Sequence, residues 1–323
     1  MSFPRRGLLA APALLLLARN ARAQAAWPSR PIRIIVPFAA GGAADSAART
    51  VAPRMGERLG ATIVVENRTG ASGTVGGAAV AQSAPDGYTL LWDASSHLVN
   101  PALMKGLPFD YTTAFTPISL VTTFPQVLAV RADFPARDLK GFIAAAKGRP
   151  GQLNTGTQGN ATAGHLAVVQ FERLAGISLQ HVPYRGGADA ARDLAGSNLD
   201  AVFITALSAG PVVSSGRARF LAVAAEERVA VQPDVPTFAE AGLPGLAISE
   251  WAALFGPANL PPAITQRLHA AIRDSLAETE VQARLAQLAA VPVGSDPETF
   301  ARFVREGRDN MATLVREADI RIE

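Results

Sequence analysis

Short apolar runs and longer amphipathic stretches alternate along most of this chain. Residues 32–38 (IRIIVPF) form a β-branched run, as expected of a strand buried on both faces. Gly41-Gly42 breaks that run, and residues 43–59, rich in Ala and Arg, predict a helix. A strand over 62–66 (TIVVE) follows, then a small-residue helix over 73–83. Pro85-Asp86-Gly87 turns the chain into a strand over 89–92. The alternation resumes with a strand over 126–131, helices over 139–147 and 162–175, and short strands over 179–182, 200–204 and 220–224. Strand–helix alternation at this spacing predicts parallel-rich sheets flanked by helices.

The last third changes character. Ile264, Leu268, Ile272 and Leu276 recur every four residues and mark one apolar helical face. Ser295-Asp296-Pro297-Glu298 starts another helix, with a capping side chain, an early proline and an acid near the positive end. Phe300, Phe303, Met311 and Leu314 make that helix amphipathic. Both helices need a sheet to cover, and the N-terminal half offers one. The length of 323 residues exceeds what one core usually organises, so two lobes are expected. With no Gly/Ser or Pro-rich linker, the chain should cross between them through ordered strands.

Composition narrows the chemistry. The absence of cysteine removes disulfides, thiolate zinc sites, iron–sulfur ligation and thiol nucleophiles together. The formal net charge of +3 is a property of the first residues: without the four arginines of residues 1–23, 26 basic side chains face 27 acidic ones, a net charge of −1. A near-neutral chain with 6% aromatics offers no basic stripe for a nucleic-acid backbone. Residues 1–23 read as an export signal: Arg5-Arg6, an apolar stretch over 7–18, then Ala21-Arg22-Ala23 as a cleavage site. Twelve residues rise roughly 18 Å against a ~30 Å hydrocarbon core, too short to span it. The paired arginines resemble a twin-arginine signal, although Pro4 stands where Ser or Thr is usual, so either export route fits. The expected location is the periplasm, with no membrane-spanning segment after residue 23.

The four histidines (His97, His165, His181, His269) show no metal-ligand spacing. There is no G-x-S-x-G nucleophile elbow, no G-x-G-x-x-G and no phosphate-binding G-x-x-x-x-G-K-[ST], so no cofactor is indicated. What remains is a pair of glycine-rich turns between strand ends and helix starts. One runs from Pro37 through Gly41-Gly42 to Asp45; the other is Gly156-Thr157-Gln158-Gly159-Asn160-Ala161-Thr162. The first amides of a helix lack intrahelical acceptors, and glycine lets a ligand approach them. Such turns bind anions without a formal cation. A third small-residue loop, Gly70 to Gly77, reads either as another contact or as close packing, with packing favoured.

At these residues the chain resembles the Bug-type substrate-binding proteins, the periplasmic receptors of tripartite tricarboxylate transporters. The matching strings are Trp27-Pro28-Ser29-Arg30-Pro31-Ile32, the Pro37 to Asp45 loop, Val65-Glu66-Asn67-Arg68-Thr69-Gly70, Ala84-Pro85-Asp86-Gly87-Tyr88-Thr89-Leu90 and His181-Val182-Pro183-Tyr184-Arg185-Gly186. Pro233-Asp234-Val235-Pro236-Thr237, Glu240-Ala241-Gly242-Leu243-Pro244-Gly245 and Val293-Gly294-Ser295 complete them in family order.

The resemblance implies a type II periplasmic-binding-protein fold: two α/β lobes with parallel-rich sheets, joined by crossing strands near 126–131 and 250–255, with the ligand cleft between them. Residues 27–127 and 250–323 would form one lobe and 128–249 the other. It implies a receptor that closes on a small organic carboxylate and delivers it to membrane permease subunits. Phe38 would wall the pocket, while Ala40, Gly41, Gly42 and Ala43 offer backbone. Asp45 would brace that loop or meet a polar ligand group. Thr157, Gly159, Asn160 and Thr162 would answer from the other lobe, with Ser95, Ser96 and His97 at the cleft edge. Thr205 falls in Ile204-Thr205-Ala206-Leu207-Ser208, where the family commonly carries an Asp-Asn pair followed by proline. Losing that acid and amide favours a dicarboxylate or aromatic acid over an amino acid. The rival reading is a periplasmic α/β hydrolase or isomerase acting on a carboxylated substrate, with His165 or Asp45 as base.

Overall fold

The structure, a computed structural model, describes residues 27–160, 162–229 and 232–317. The signal segment and Ala161 lie outside them. The first lobe opens with β1 (Ile32–Val36), α1 (Ala43–Leu59), β2 (Ile63–Asn67), α2 (Thr74–Ala81), β3 (Thr89–Asp93) and α3 (Ser96–Leu103). The long strand β4 (Phe115–Arg131) leads into α4 (Leu139–Gly148), β5 (Asn154–Thr157), α5 (Ala163–Ala175), β6 (Gln180–Pro183), α6 (Gly187–Ala195), β7 (Ala201–Thr205), α7 (Ala206–Ser214) and β8 (Ala218–Ala224). The chain returns through β9 (Ser249–Pro257) to α8 (Pro262–Leu276), α9 (Thr279–Gln287), β10 (Val291–Pro292) and α10 (Pro297–Glu317).

Among the described residues ten strands join in one sheet, ordered β2-β1-β3-β9-β4-β7-β5-β6, with β8 and β10 also on β4. Strand β4 unites its two halves. From Phe115 to Pro125 it lies antiparallel to β9, with Pro125 opposite Ser249. From Gln126 onward its neighbours are β7 and β8 instead. The strand covers 115–131 rather than 126–131 because each lobe supplies a partner for half of it; its first half, FTPISLVTTFP, has no clean period to reveal it.

Each half is buried between helices. On one face of the first lobe Ile34, Trp92 and Phe124 pack with Val51 and Met55 of α1 and with Leu268 and Ile272 of α8. The other face holds Leu91, Phe255 and Phe300 of α10. The two C-terminal helices thus cover the first sheet, as their apolar stripes require. Phe303 lies at the surface. Asp296 caps α10, accepting from the amides of Glu298 (3.1 Å) and Thr299 (2.9 Å). In the second lobe Leu128, Phe171 and Phe203 pack on one face and Val202, Ile204 and Leu194 on the other. Helices α3, α6, α7 and α9 had no distinct sequence signal. Two of them carry an internal proline, Pro101 in α3 and Pro211 in α7, and tertiary packing overrides it.

Strand direction decides where the loops go. Strand β3 is antiparallel to β9, which is antiparallel to β4, so β3 and its parallel neighbour β1 run toward Pro125. Strand β7 is antiparallel to β4, with Thr205 opposite Gln126, and β5 is parallel to β7. The carboxyl ends of β1, β3, β5 and β7 therefore all point at the boundary between lobes. Among the described residues no helix is long and apolar enough to cross a membrane.

Candidate functional site

Ligands of open α/β sheets sit beyond the carboxyl ends of strands, and here two sets of such ends face one another. The loop after β1 is held from inside. Asp45 is 2% exposed, and its carboxylate accepts from the Gly41 amide (2.8 Å), Arg49 Nε (3.0 Å) and Asn67 Nδ2 (2.8 Å). Burial pushes its pKa up, but those hydrogen bonds outweigh burial and hold the carboxyl below its ordinary value. Asn67 also donates to the carbonyl of Phe38 (3.0 Å). Of the two roles open to Asp45, the loop brace is the one its bonds make.

This bracing changes which backbone groups are free. The Gly41 amide serves Asp45, and that of Gly42 donates to Ala39 O at 3.3 Å. Ala40, Gly41 and Gly42 are exposed, and Gly41 has φ +79°, a conformation glycine adopts without strain. Gly42 caps α1 without a side-chain bond, and the first intrahelical amide is that of Ser46, onto Gly42 O at 2.8 Å. The amides of Ala43 and Ala44 lie in the first turn, where helix geometry denies them an acceptor. Phe38 is half-buried against the lobe core.

The answering loop is built differently. Thr157 is fully buried, with its hydroxyl 2.7 Å from His181 Nε2, so its side chain is part of the lobe interior and not a ligand contact. Gly159 has φ +137°, and a Cβ there would press on the Tyr184 carbonyl at 3.2 Å. Thr162 caps α5 and donates to Gly159 O at 2.8 Å. Asn160 is exposed at the tip. Thr205 caps α7 and lies 3.0 Å from the Ser208 hydroxyl.

At the end of β3 the side chains are mostly spoken for. Ser95 gives its amide (2.9 Å) and its hydroxyl (2.8 Å) to the two carboxylate oxygens of Glu250. Ser96 keeps a buried hydroxyl with no partner among the described residues. His97 departs from the expected place at the cleft edge. It is 1% exposed, with Nδ1 2.9 Å from Asp93 and its ring stacked on Phe255 at 4.1 Å, because the apolar face of α3 turns it into the core. The Gly70 to Gly77 loop is close packing: a Cβ on Gly76 would sit 2.8 Å from Pro37 Cβ, and one on Gly77 2.8 Å from Phe109.

Three polar residues at the boundary escaped the sequence reading. Glu250 is half-buried, and desolvation pushes its carboxyl up against hydrogen bonds from Ser95 and Trp251. Gln126 is fully buried where β4 changes partners, and it meets the amide of Gln158 at 3.1 Å. Only Gln126 carried a signal, as a lone polar residue inside the apolar run 124–130 (FPQVLAV). A cavity of about 990 Å³ lies along the same boundary, bordered by Ser95, Leu98, Ala163, Leu166, Ile248 and Trp251. Of the expected contacts only Ser95 borders it.

His165 and His181 stack face to face, with centroids 4.0 Å apart. Burial, then the charge of His165, lowers the pKa of His181 to about 4, and burial lowers that of His165. His165 belongs to the second lobe and Asp45 to the first, where its carboxylate is consumed by the loop, so the pair assembles no acid–base centre.

The model of the tripartite tricarboxylate transporter family receptor matches residues 47–320. BugT of Bordetella pertussis is 33% identical over 92% of this chain and 92% of its own. A solved structure of an R. palustris protein with adipate is 30% identical, with a TM-score of 0.81 over 91% of this chain and 99% of that one. MatC of Rhodopseudomonas palustris with bound malate is 33% identical, with a TM-score of 0.75 over 90% and 100%. Matches of this extent, in sequence and in the two-lobed fold, show the family: the chain belongs to the tripartite tricarboxylate transporter receptor family, as its Bug-like strings had indicated.

Proposed function

We propose that this receptor, exported by residues 1–23, binds a small organic carboxylate between a lobe of residues 27–127 and 250–323 and a lobe of 128–249, and hands it to a membrane permease. The observation that carries this reading is the convergence of the β1, β3, β5 and β7 carboxyl ends on one boundary. The carboxylate sits between the first turn of α1 and the loop before α5. Ala43 and Ala44 lend amides, Phe38 walls the pocket, and Gly159, Asn160 and Thr162 answer from the second lobe. Asp45 and Thr157 support these loops from within, and Ser96 and Thr205 read the ligand's other end. Closure around the ligand excludes water and strengthens each amide–carboxylate contact. A ligand that touches both lobes shifts the population toward the closed form without covalent chemistry.

Relatives with adipate and malate bound support an acid ligand. The sequence Ile204-Thr205-Ala206-Leu207-Ser208 carries no acid to meet an ammonium, which favours dicarboxylates or aromatic acids. A thermal-shift screen of dicarboxylates, aromatic acids and amino acids tests this. A ligand at a hundred times its Kd adds about 2.7 kcal/mol of stability. Stabilisation by amino acids alone, or by nothing in the screen, overturns the assignment. Turnover of a bound acid by pure protein would favour the hydrolase or isomerase reading instead.

A further inference from the structure

Each of the two strands that pass between the lobes carries one polar side chain drawn out of water at its crossing, Glu250 half-buried and Gln126 fully buried, and each grips a loop at the cleft. On β9, Glu250 takes the amide and hydroxyl of Ser95, at the end of β3. On β4, Gln126 meets Gln158, in the loop after β5. With its nitrogen donating to the Phe203 carbonyl (3.1 Å) and its oxygen accepting from the Gly164 amide (3.2 Å) while facing the Gln126 side-chain amide (3.1 Å), Gln158 ties that loop to the first turn of α5. The two grips are close neighbours in the sheet. Glu250 stands opposite Phe124, two residues before Gln126, and the Gln126 backbone N–H donates to Ile248 O at 3.3 Å.

An apolar residue at either crossing would be the cheaper choice. A half-buried carboxylate such as Glu250, with no cation beside it among the described residues, pays desolvation that its hydrogen bonds only partly offset. Gln126 leaves one end of its amide without a partner among the described residues, and a buried orphan of that kind calls for an explanation. We propose that Glu250 and Gln126 are positioning residues for ligand capture, fixing the loops that meet the ligand to the strands about which the lobes rotate. A contact made at either loop is then carried to the crossing as rotation rather than absorbed by loop movement. This rests on the receptor reading above, and it goes further in assigning the coupling to two residues outside the carboxylate-binding loops.

The chain has no cysteine, so spin labels at Glu57→Cys and Arg192→Cys, one exposed site per lobe, report the interlobe distance directly. The variants are Glu250→Leu, Ser95→Ala and Gln126→Leu, with Glu250→Gln as the conservative replacement that keeps an acceptor. Malate and adipate serve as probes in calorimetry. The expected result is a ligand-free distance distribution at least twofold broader in the two Leu variants, with probe affinity at least tenfold weaker. Ser95→Ala should move part of the way, and Glu250→Gln should recover most of the parent's behaviour. A distribution unchanged in all variants overturns the proposal, as does weakened binding with no change in distribution, which would make these residues plain contacts. If the parent binds neither probe, these two acids are excluded as ligands, the screen of other acids decides the receptor reading, and the ligand-free distances alone still decide the coupling.

Discussion

The hydroxyl of Thr157 lies 2.7 Å from Nε2 of His181, and the His181 ring stacks on His165 at 4.0 Å, so the loop after β5 rests on two imidazoles. His181 titrates at about 4 in the folded chain, because burial disfavours its charged form and His165 adds repulsion. Unfolded histidine titrates near 6.5. Between those values the unfolded chain binds more protons, so the fold loses stability as pH falls from about 6.5 to about 4. The melting temperature should decline across that window, and His181→Gln should flatten the decline. A variant profile as steep as the parent's would count against this origin.

Thr157→Val removes a buried hydroxyl and leaves the His181 nitrogen unpaired. It should cost about 1–3 kcal/mol in chemical denaturation. A charge at Thr157 would probe folding rather than binding. The sharper probe of the carboxylate site is Asn160→Asp, at the exposed tip, where calorimetry should show at least tenfold weaker acid binding with the melting temperature unchanged.

Asp45→Ala strips three donors of one acceptor. Loss of about 1–3 kcal/mol is expected, together with weaker acid binding as the loop before α1 loosens. The Asp45 carboxyl is held below its ordinary value, so its contribution is present at neutral pH and disappears as pH falls through the acid range. The gap between parent and variant stability should therefore narrow on acidification.

Gly164 and Gly148 should respond oppositely to alanine. A Cβ on Gly164 would fall on the Gln158 side chain and the Phe203 carbonyl, whereas one on Gly148 meets nothing within 4 Å. Gly164→Ala should cost about 1–3 kcal/mol through overpacking. Gly148→Ala should be neutral or stabilise by up to about 1 kcal/mol. Denaturant midpoints measured side by side check the pair.

On α8, Leu268 is fully buried against the first sheet. Leu268→Ala should cost about 2–5 kcal/mol, while the exposed neighbour Gln266→Ala stays within about 0.5 kcal/mol. Equal effects would mean that the helix does not cover the sheet through this face.

Helix α1 was legible to the residue, since Gly41-Gly42 opens it and Gly60, at φ +69°, closes it. The stripe of Leu268, Ile272 and Leu276 announced a sheet to cover, and the two glycine-rich turns announced helix starts. These are signals a segment carries by itself, in its periodicity, its caps and its backbone freedom. Only the folded chain decided which donors those turns keep. The Gly41 amide is spent on Asp45, and the Thr157 hydroxyl on His181, 24 residues away. It also decided that His97 belongs to a core and that Glu250 holds Ser95 across 155 residues of sequence. A polar atom's partner is set by the register and direction of strands brought together from distant parts of the chain, and no local pattern encodes that alignment.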